Sequence, residues 1–400
     1  DLSQNNPVRR QIGGKVVNCD NTAKKKSASR NSFFFFLLQW LQWGRKEMGR
    51  DSSACAAAAM ATGIRVFQPG SLKVKLLRVE TTGAGGSACP PPPKPLLIAS
   101  PEDGGEFPVL VFLHGYLLYN SFYSQLMQHV ASHGFIVVAP QLYVLSGPDS
   151  TDEIKWASAT TDWLPSGLPG ALPPAVLPDL TKLAIAGHSR GGKVAFALAL
   201  SRLRRPHHPP TTPTSFSAVM GIDPVDGMGR GKQTPPPVLT YAPLSFDLGT
   251  AAAMVVGSAL GEIPRGPLFP ACAPPGVNHR DFFAECRPPA CHLVAGGQGH
   301  QDMLDDETPG LRGRATRCLC KNGVARAPMR AFSAGAMVAF MRAYLEGAPA
   351  DLLALRDNPD IAPVVLSDAT FLLSHHDEHS HHHHHQQQQQ QHCLALEGRR

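Results

Sequence analysis

The chain has 400 residues, 43% of them hydrophobic, which is enough for two domains or for one α/β domain with extensions. Its net charge of +6 comes entirely from residues 1–60, where ten Lys and Arg face four Asp and Glu, because the remainder carries 27 of each sign. This neutral body argues against nucleic acid as a partner and against an electrostatic membrane anchor.

Both ends of the chain differ in composition from the middle. In residues 1–60 a basic, Ser-containing stretch precedes the apolar run Phe33–Trp43, which is too short to span a bilayer. We interpret this extension as disordered, as a targeting segment or as non-native sequence, with no transmembrane segment. Residues 366–400 are predicted to be a low-complexity His/Gln tail without a catalytic role. The predicted folded domain is residues 61–365.

Apolar runs alternate with helical segments along the middle of the chain. The predicted strands are Leu72–Val79, Leu96–Ser100, Val109–Leu113, Phe135–Ala139, Leu183–Ala186, Ala218–Ile222, Ala253–Val256 and His292–Ala295. The predicted helices are Ser121–Ser132, Asp152–Trp163 (ended by a proline), Lys193–Leu200, Arg280–Cys286 and Met329–Leu345. This alternation is typical of an α/β fold with a mostly parallel sheet and helices on both faces.

Two proline-rich segments interrupt this pattern. Arg204–Thr214 is predicted to be a surface insertion. Gly257–Val277 contains five prolines, and it is predicted to be either an active-site lid or a disordered loop. The nine cysteines are too few and too scattered for a disulfide scaffold, so most are predicted to be reduced, although a bridge among Cys272, Cys286 and Cys291 remains open.

The sequence Gly187–Gly192 reads Gly-His-Ser-Arg-Gly-Gly and lies between a predicted strand and a predicted helix. A strand, a Gly-x-Ser-x-Gly turn and a helix form a nucleophile elbow, which presents Ser189 above the sheet. The plainer interpretation is a glycine-rich turn with a bystander serine. An elbow predicts an α/β-hydrolase in which an acid and a histidine follow the serine in that order.

Catalytic groups of a parallel sheet lie beyond the carboxyl ends of its strands. Asp223 follows the strand Ala218–Ile222 directly and is a better candidate acid than Asp226, although both fit a turn-forming aspartate. His300 lies in the loop after the last predicted strand and is the candidate base. The other histidines fit this position less well. His292 is at the wrong end of its strand and is predicted to be structural, His279 lacks a preceding strand, and His188 lies inside the elbow and is expected to face away from Ser189.

Hydrolysis of an ester through Ser189 requires donors for the tetrahedral oxyanion. We expect them to be the backbone N–H groups of Arg190, which follows the nucleophile, and of Tyr116, in the loop after Val109–Leu113. The same loop supplies candidate substrate-pocket residues, namely Leu117, Leu118 and Tyr119, which suit a bulky apolar substrate. No cofactor is predicted, and no metal site in the body of the chain.

Several segments together resemble plant chlorophyllases: Phe107–Tyr116, Ser132–Leu142, Gly187–Lys193, Gly221–Gly227, Gly299–Asp306 and Cys318–Gly323. The resemblance covers residues 62–365 and departs from the family at Arg204–Thr214 and at both ends. It implies hydrolysis of the phytyl ester of chlorophyll to chlorophyllide and phytol. It also implies that the nucleophile, acid and base are Ser189, Asp223 and His300.

Two other functions remain open: a general lipase or carboxylesterase of the same fold, and a non-catalytic receptor or pigment-binding protein. The resemblance makes chlorophyll and related phytyl-ester pigments the expected substrates, with peripheral association with pigment-bearing membranes. We expect a chloroplast location, with the cytosol or the endomembrane system as alternatives.

Overall fold

The structure is a computed structural model that describes residues 64–82, 89–145, 147–203 and 215–372. The predictions for residues 1–60, for the insertion Arg204–Thr214 and for the tail beyond residue 372 lie outside the described residues.

Nine strands form one sheet: β1 (Val74–Val79), β2 (Leu96–Pro101), β3 (Gly105–Leu113), β4 (Ile136–Pro140), β5 (Val176–His188), β6 (Ala218–Ile222), β7 (Ala252–Ser258), β8 (Ala290–Ala295) and β9 (Leu366–Leu372). Their spatial order is β1-β2-β4-β3-β5-β6-β7-β8-β9. Strands β3 to β8 run parallel to one another, whereas β2 is antiparallel to β1 and β4, and β9 is antiparallel to β8. The predicted mostly parallel sheet is therefore confirmed.

Seven α-helices occur in the described part of the chain: α1 (Ser124–Ser132), α2 (Thr151–Ala171), α3 (Arg190–Leu203), α4 (His279–Glu285), α5 (Gly310–Cys318), α6 (Arg326–Leu345) and α7 (Ala350–Asp357). Short 3-10 turns lie at Asn120–Tyr123 and Pro359–Ile361. No helix among the described residues combines the length and apolar character that crossing a membrane requires.

The hydrophobic core has two layers, one on each face of the sheet. Successive side chains of a strand point to opposite faces. Leu110 and Phe112 of β3 accordingly pack in the layer that contains α1 and α6, and Val109 and Val111 pack in the layer of α2, α3 and α4. Because both faces are covered, the interior strands read as continuous apolar runs.

Two sequence predictions are corrected by the tertiary packing. Helix α2 does not end at a proline after Trp163 but continues through Pro165 and Pro169 to Ala171. A proline inside a helix costs about 3 kcal/mol, and here Leu164 and Leu168 are fully buried against the sheet, which offsets that cost. The domain also extends past residue 365, because Leu366–Leu372 forms the edge strand β9 rather than part of the tail.

Candidate active site

A sharp turn between β5 and α3 carries Ser189. The Ser189 backbone has φ = +56°, a left-handed conformation that costs a side-chain-bearing residue free energy and is typical of functional sites. A Cβ atom on Gly187 would lie 2.2 Å from the Gly191 carbonyl oxygen, and one on Gly191 would lie 2.3 Å from the Leu113 carbonyl oxygen. Only glycine fits at either position, which is the physical reason for the Gly-x-Ser-x-Gly pattern.

The register of the sheet brings Ser189 beside Asp223. His188 pairs with Ile222 across β5 and β6, and Ile222 pairs with Val256 across β6 and β7. The ladder continues one residue beyond the strands, because the Ser189 N–H donates to the Ile222 carbonyl at 3.0 Å and the Asp223 N–H to the Val256 carbonyl at 2.6 Å. The two residues therefore follow the ends of adjacent strands, as their sequence positions predict.

Three side chains form a continuous hydrogen-bonded chain at this edge. Nε2 of His300 lies 2.9 Å from the Ser189 Oγ, and Nδ1 of His300 lies 2.8 Å from Oδ2 of Asp223. All three residues are at least 92% buried, since the most exposed, Ser189, retains 8% accessibility. This geometry allows a serine hydroxyl to transfer its proton to an imidazole whose other nitrogen is held by a carboxylate.

The Asp223 carboxylate has a further support that the sequence does not indicate. Ser258, the last residue of β7, donates a short side-chain hydrogen bond to Oδ2 and a backbone N–H bond of 3.2 Å to Oδ1. Burial alone raises the pKa of Asp223, but the hydrogen bond and charge of His300, with smaller contributions from His279 and Ser258, lower it to about 2. Asp223 is therefore ionised at neutral pH.

The alternative acid, Asp226, and the histidines His279 and His292 form hydrogen bonds and ion pairs with other residues. Asp226 forms a buried ion pair with Lys193, 3.1 Å from its Nζ, and accepts the backbone N–H groups of Val238 and Leu239. His279 and His292 hydrogen-bond to each other at 2.8 Å, and His292 also bonds to Asp368 on β9. None of these side chains contacts Ser189 in the described structure.

His188 does not face the nucleophile but connects the base loop to the loop after β3. Its Nε2 donates to the His300 carbonyl at 2.9 Å, so its Nδ1 accepts from the Tyr123 hydroxyl at 2.7 Å. The Tyr123 oxygen in turn accepts the Gly115 N–H at 3.0 Å. Burial lowers the pKa of His188 well below its usual value, with a contribution from His300, so the ring is neutral as this arrangement requires.

The two residues predicted to supply the oxyanion donors, Arg190 and Tyr116, belong to segments that adjoin the nucleophile. Arg190 is the first residue of α3, and Tyr116 is in a turn closed by the Leu118 N–H bonding to the Gly115 carbonyl at 3.1 Å. A Cβ on Gly115 would lie 3.3 Å from the Ser189 Cβ, which shows how closely this turn approaches the serine. The Arg190 guanidinium, ion-paired with Glu153 at 2.6 Å, packs over the Tyr116 ring at 5.0 Å. Arg190 thus connects the two sides of the predicted oxyanion site.

Beside Ser189 and His300 lies a cavity of about 410 Å³. Leu117 and Leu118 line it, as predicted, whereas Tyr119 does not and instead packs edge-on against Phe122. Tyr116, Met228 and Gln301 also line the cavity. The rest of its lining comes from two segments that we call the pocket wall, residues 259–277 between β7 and α4 and residues 310–320 of α5 and its end. Their apolar contributions include Phe269, Ala271, Ala315 and Leu319. Part of Gly257–Val277, the segment predicted to be either a lid or a disordered loop, therefore lines the cavity beside Ser189.

A disulfide joins the two segments of the pocket wall. Cys272 and Cys320 are 48 residues apart in sequence and are bonded through their sulfur atoms, and both line the cavity. A bridge among Cys272, Cys286 and Cys291, which the sequence left open, does not form, because Cys286 and Cys291 are buried thiols packed in the two core layers. Pairing over such a distance is set by the fold and not by local sequence.

The mostly parallel sheet and the elbow between β5 and α3 define an α/β-hydrolase. Comparison with known proteins narrows this class, because the family model described as Chlorophyllase matches residues 62–373. The chain belongs to the chlorophyllase family, and it is therefore a carboxylic ester hydrolase, as the sequence predicted.

Curated relatives match over most of their length. Chlorophyllase-2 of Arabidopsis thaliana is 54% identical over 298 residues, which are 73% of this chain and 92% of the relative. Chlorophyllase-1 of Arabidopsis thaliana is 40% identical over 302 residues (75% and 90%). The protein named "Chlorophyllase-1, chloroplastic" of Citrus unshiu is 38% identical over 311 residues (77% and 88%).

Proposed function

We propose that this chain hydrolyses the phytyl ester of chlorophyll to chlorophyllide and phytol, with Ser189 as nucleophile, His300 as general base and Asp223 as the acid that holds the base. Family membership supports the substrate. The observation that carries the residue roles is the unbroken chain of hydrogen bonds from the Ser189 Oγ through both nitrogens of His300 to Asp223.

In the first step His300 takes the Ser189 proton while the Oγ attacks the ester carbonyl. The carbonyl oxygen of the substrate becomes an oxyanion, which we assign to the backbone N–H groups of Tyr116 and Arg190. Collapse of this intermediate breaks the bond to the phytyl oxygen, which leaves with the proton from His300. Water then attacks the acyl-enzyme by the same route and releases chlorophyllide. Each oxyanion donor is worth about 3 kcal/mol of the barrier.

The decisive test is Ser189→Ala, assayed with chlorophyll by partition of chlorophyllide between aqueous and organic phases. We expect chlorophyllide formation to be abolished while pigment binding and the thermal unfolding midpoint are retained. Ser201→Ala, on α3 but away from the elbow, is the matched control and should keep full activity. Activity retained in Ser189→Ala would refute the mechanism, and wild-type activity on short esters with none on chlorophyll would instead indicate a general carboxylesterase.

We further propose that the mouth of the cavity docks peripherally on pigment-bearing membranes. Large apolar side chains are exposed there: Met228 is 62% accessible, Leu319 49% and Phe269 38%. Leu268, which precedes Phe269 in the chain, is 86% accessible. Apolar surface of this kind binds lipid by burial. Leu268→Glu should reduce co-sedimentation with vesicles that contain galactolipid, and Val324→Glu, at an exposed site outside the cavity, should not. Equal binding by both variants would contradict the proposal.

We propose a chloroplast location for this chain. Support comes from the names of two relatives, both of Citrus and both called chloroplastic. Microscopy of a fluorescent fusion of the full chain in leaf cells should show co-localisation with chlorophyll autofluorescence. A cytosolic or endomembrane signal would contradict this location without affecting the proposed chemistry.

A further inference from the structure

One polar side chain of the cavity has no explanation in the proposed mechanism. Arg312, on α5, lines the cavity that contains Ser189 and His300. Among the described residues that line it, Arg312 is the one arginine, and no Lys, Asp or Glu contributes. A guanidinium is always charged in proteins, and most of the surrounding wall is apolar.

The Arg312 guanidinium is positioned without satisfying its hydrogen-bonding capacity. Its planar group lies 4.8 Å from the centre of the Tyr119 ring, a cation–π contact that fixes its position. Its Nη1 is buried and has no hydrogen-bond acceptor within the described residues. A buried donor left without an acceptor is costly, and a charged one especially so.

A second polar side chain that lines the cavity also has an unsatisfied buried atom. Oε1 of Gln301, next to the base His300, is buried and has no hydrogen-bond donor within the described residues, while its Nε2 faces the Cys320 sulfur at 3.6 Å. A pocket that binds only hydrocarbon would gain nothing from two such groups. Their presence indicates a ligand with polar atoms of its own besides the scissile ester.

We propose that Arg312 is a specificity-determining residue, which donates hydrogen bonds to a carbonyl oxygen on the acyl side of the ester. This inference rests on the proposed function. The phytyl group is a hydrocarbon without acceptors, whereas the chlorophyll macrocycle carries a ketone and a methyl ester at its periphery. Arg312 therefore recognises the macrocycle, and the apolar side chains of the pocket wall accommodate hydrocarbon.

The test compares Arg312→Met with Arg314→Met, which removes an exposed arginine from the same helix. Both variants are assayed in detergent with chlorophyll and with p-nitrophenyl butyrate, which lacks a macrocycle. Arg312→Met should lower kcat/KM for chlorophyll about ten- to hundredfold, the loss expected for a charge-assisted hydrogen bond. It should leave the short ester within about twofold, and Arg314→Met should leave both substrates unchanged.

Product inhibition of short-ester hydrolysis identifies the side of the ester that Arg312 contacts. Arg312→Met should raise the inhibition constant of chlorophyllide about tenfold or more and leave that of phytol unchanged. Arg312→Lys, which retains the charge but not the planar fork, should fall between wild type and Arg312→Met.

Three outcomes would overturn this assignment: an equal loss on both substrates with an unchanged unfolding midpoint, full chlorophyll activity in Arg312→Met, or a change confined to inhibition by phytol. Short-ester activity also reports on folding, so a misfolded variant is recognised by an equal loss on both substrates with a lowered unfolding midpoint, and Arg312→Lys then decides. Failure of the proposed function appears separately, as a wild-type enzyme that is inactive on chlorophyll or a Ser189→Ala variant that remains active.

Discussion

Ser189 and His300 of the proposed triad line the same cavity as the pocket wall, but the two regions are held in different ways. Ser189 and Asp223 follow adjacent strands, and backbone bonds to Ile222 and Val256 extend the sheet ladder to both. The pocket wall, residues 259–277 and 310–320, is held by the Cys272–Cys320 disulfide and by side-chain bonds such as the one from Arg265 to the Arg317 carbonyl at 2.7 Å.

This difference separates chemistry from selectivity. Atoms that must meet within a few tenths of an ångström are fixed by the sheet, which has no freedom to slip without breaking its register. The pocket wall, which we expect to determine substrate selectivity, consists of a loop and the short helix α5, and such segments can vary in sequence without disturbing the sheet. Changes on the triad side should therefore affect every ester equally, whereas changes in the wall should affect bulky pigment esters more than short ones.

The largest effect is expected for Asp223→Asn. An amide at this position cannot hold the productive tautomer of His300, so kcat should fall about ten-thousandfold on chlorophyll and on a short ester alike. Steady-state assays of both substrates check this. The isosteric change Asp226→Asn is not a neutral control, because Asp226 pairs with buried Lys193, so Asp247→Asn on the surface serves instead. A loss of activity on chlorophyll alone would contradict the expectation that changes in the triad affect every ester equally.

Tyr123→Phe should have a smaller but equally non-selective effect. The variant leaves Nδ1 of His188 without a donor and the Gly115 N–H without an acceptor. It therefore loosens the link between the loop that carries His300 and the turn at Gly115. We expect kcat to fall about tenfold on both substrates and stability to fall by about 1–3 kcal/mol. Tyr344→Phe, on α6 and outside this network, is the matched control. An unchanged kcat in Tyr123→Phe would show that the network has no positioning role.

Opening the wall should be selective. The double variant Cys272→Ser/Cys320→Ser should raise KM for chlorophyll several-fold and leave short-ester kcat/KM within about twofold. Loss of the cross-link should also cost about 2–4 kcal/mol of stability, measured by urea unfolding. Cys318→Ser, two residues from the bridge, controls for the substitution itself. Equal losses on the two substrates would argue that the wall also positions the triad.

The smallest expected effect concerns stability and not activity, and it comes from His114 in the loop after β3. Burial lowers the pKa of His114 to about 4, and its Nε2 accepts the Leu142 N–H at 3.0 Å. The folded state keeps this ring neutral while the unfolded chain protonates below about pH 6.5, so stability is lost as the pH falls from about 6.5 towards 4.

At pH 5 this single group should account for about 2 kcal/mol of lost stability relative to pH 7. Urea unfolding at both values should therefore show a pH difference smaller by that amount in His114→Asn than in wild type. The disulfide variant, which leaves this histidine in place, should keep the wild-type difference. An unaltered pH difference in His114→Asn would show that His114 is not kept neutral by burial.

Much of the fold followed from local pattern. Strand β6 has the bounds that the sequence predicts, because a short apolar run between breakers leaves little choice. Helix α5 and strand β9 were missed. The first is a short Arg-rich helix that ends at Cys318, and the second is at most partly buried along its whole length at the sheet edge, so neither has the apolar signal of the interior.

The candidate site likewise contains some residues that local sequence predicts and others that it does not. Ser189, Asp223 and His300 could be selected from sequence because each follows a recognisable strand. Ser258 and Tyr123 could not, because a serine at a strand end and a tyrosine in a helical pattern have many plainer uses. Tyr119 was wrongly assigned to the pocket, since sequence proximity to Leu118 does not determine the direction of the next side chain.

Local sequence patterns predict the elbow glycines, the strands and the order of the proposed nucleophile, acid and base, because each residue stands in a short segment with a steric preference of its own. Which distant side chains meet depends on the tertiary packing. The bond between Tyr123 and His188 spans 65 residues and the Cys272–Cys320 bridge spans 48. Contacts at such separations depend on how the whole sheet and its loops pack, and no local pattern encodes them.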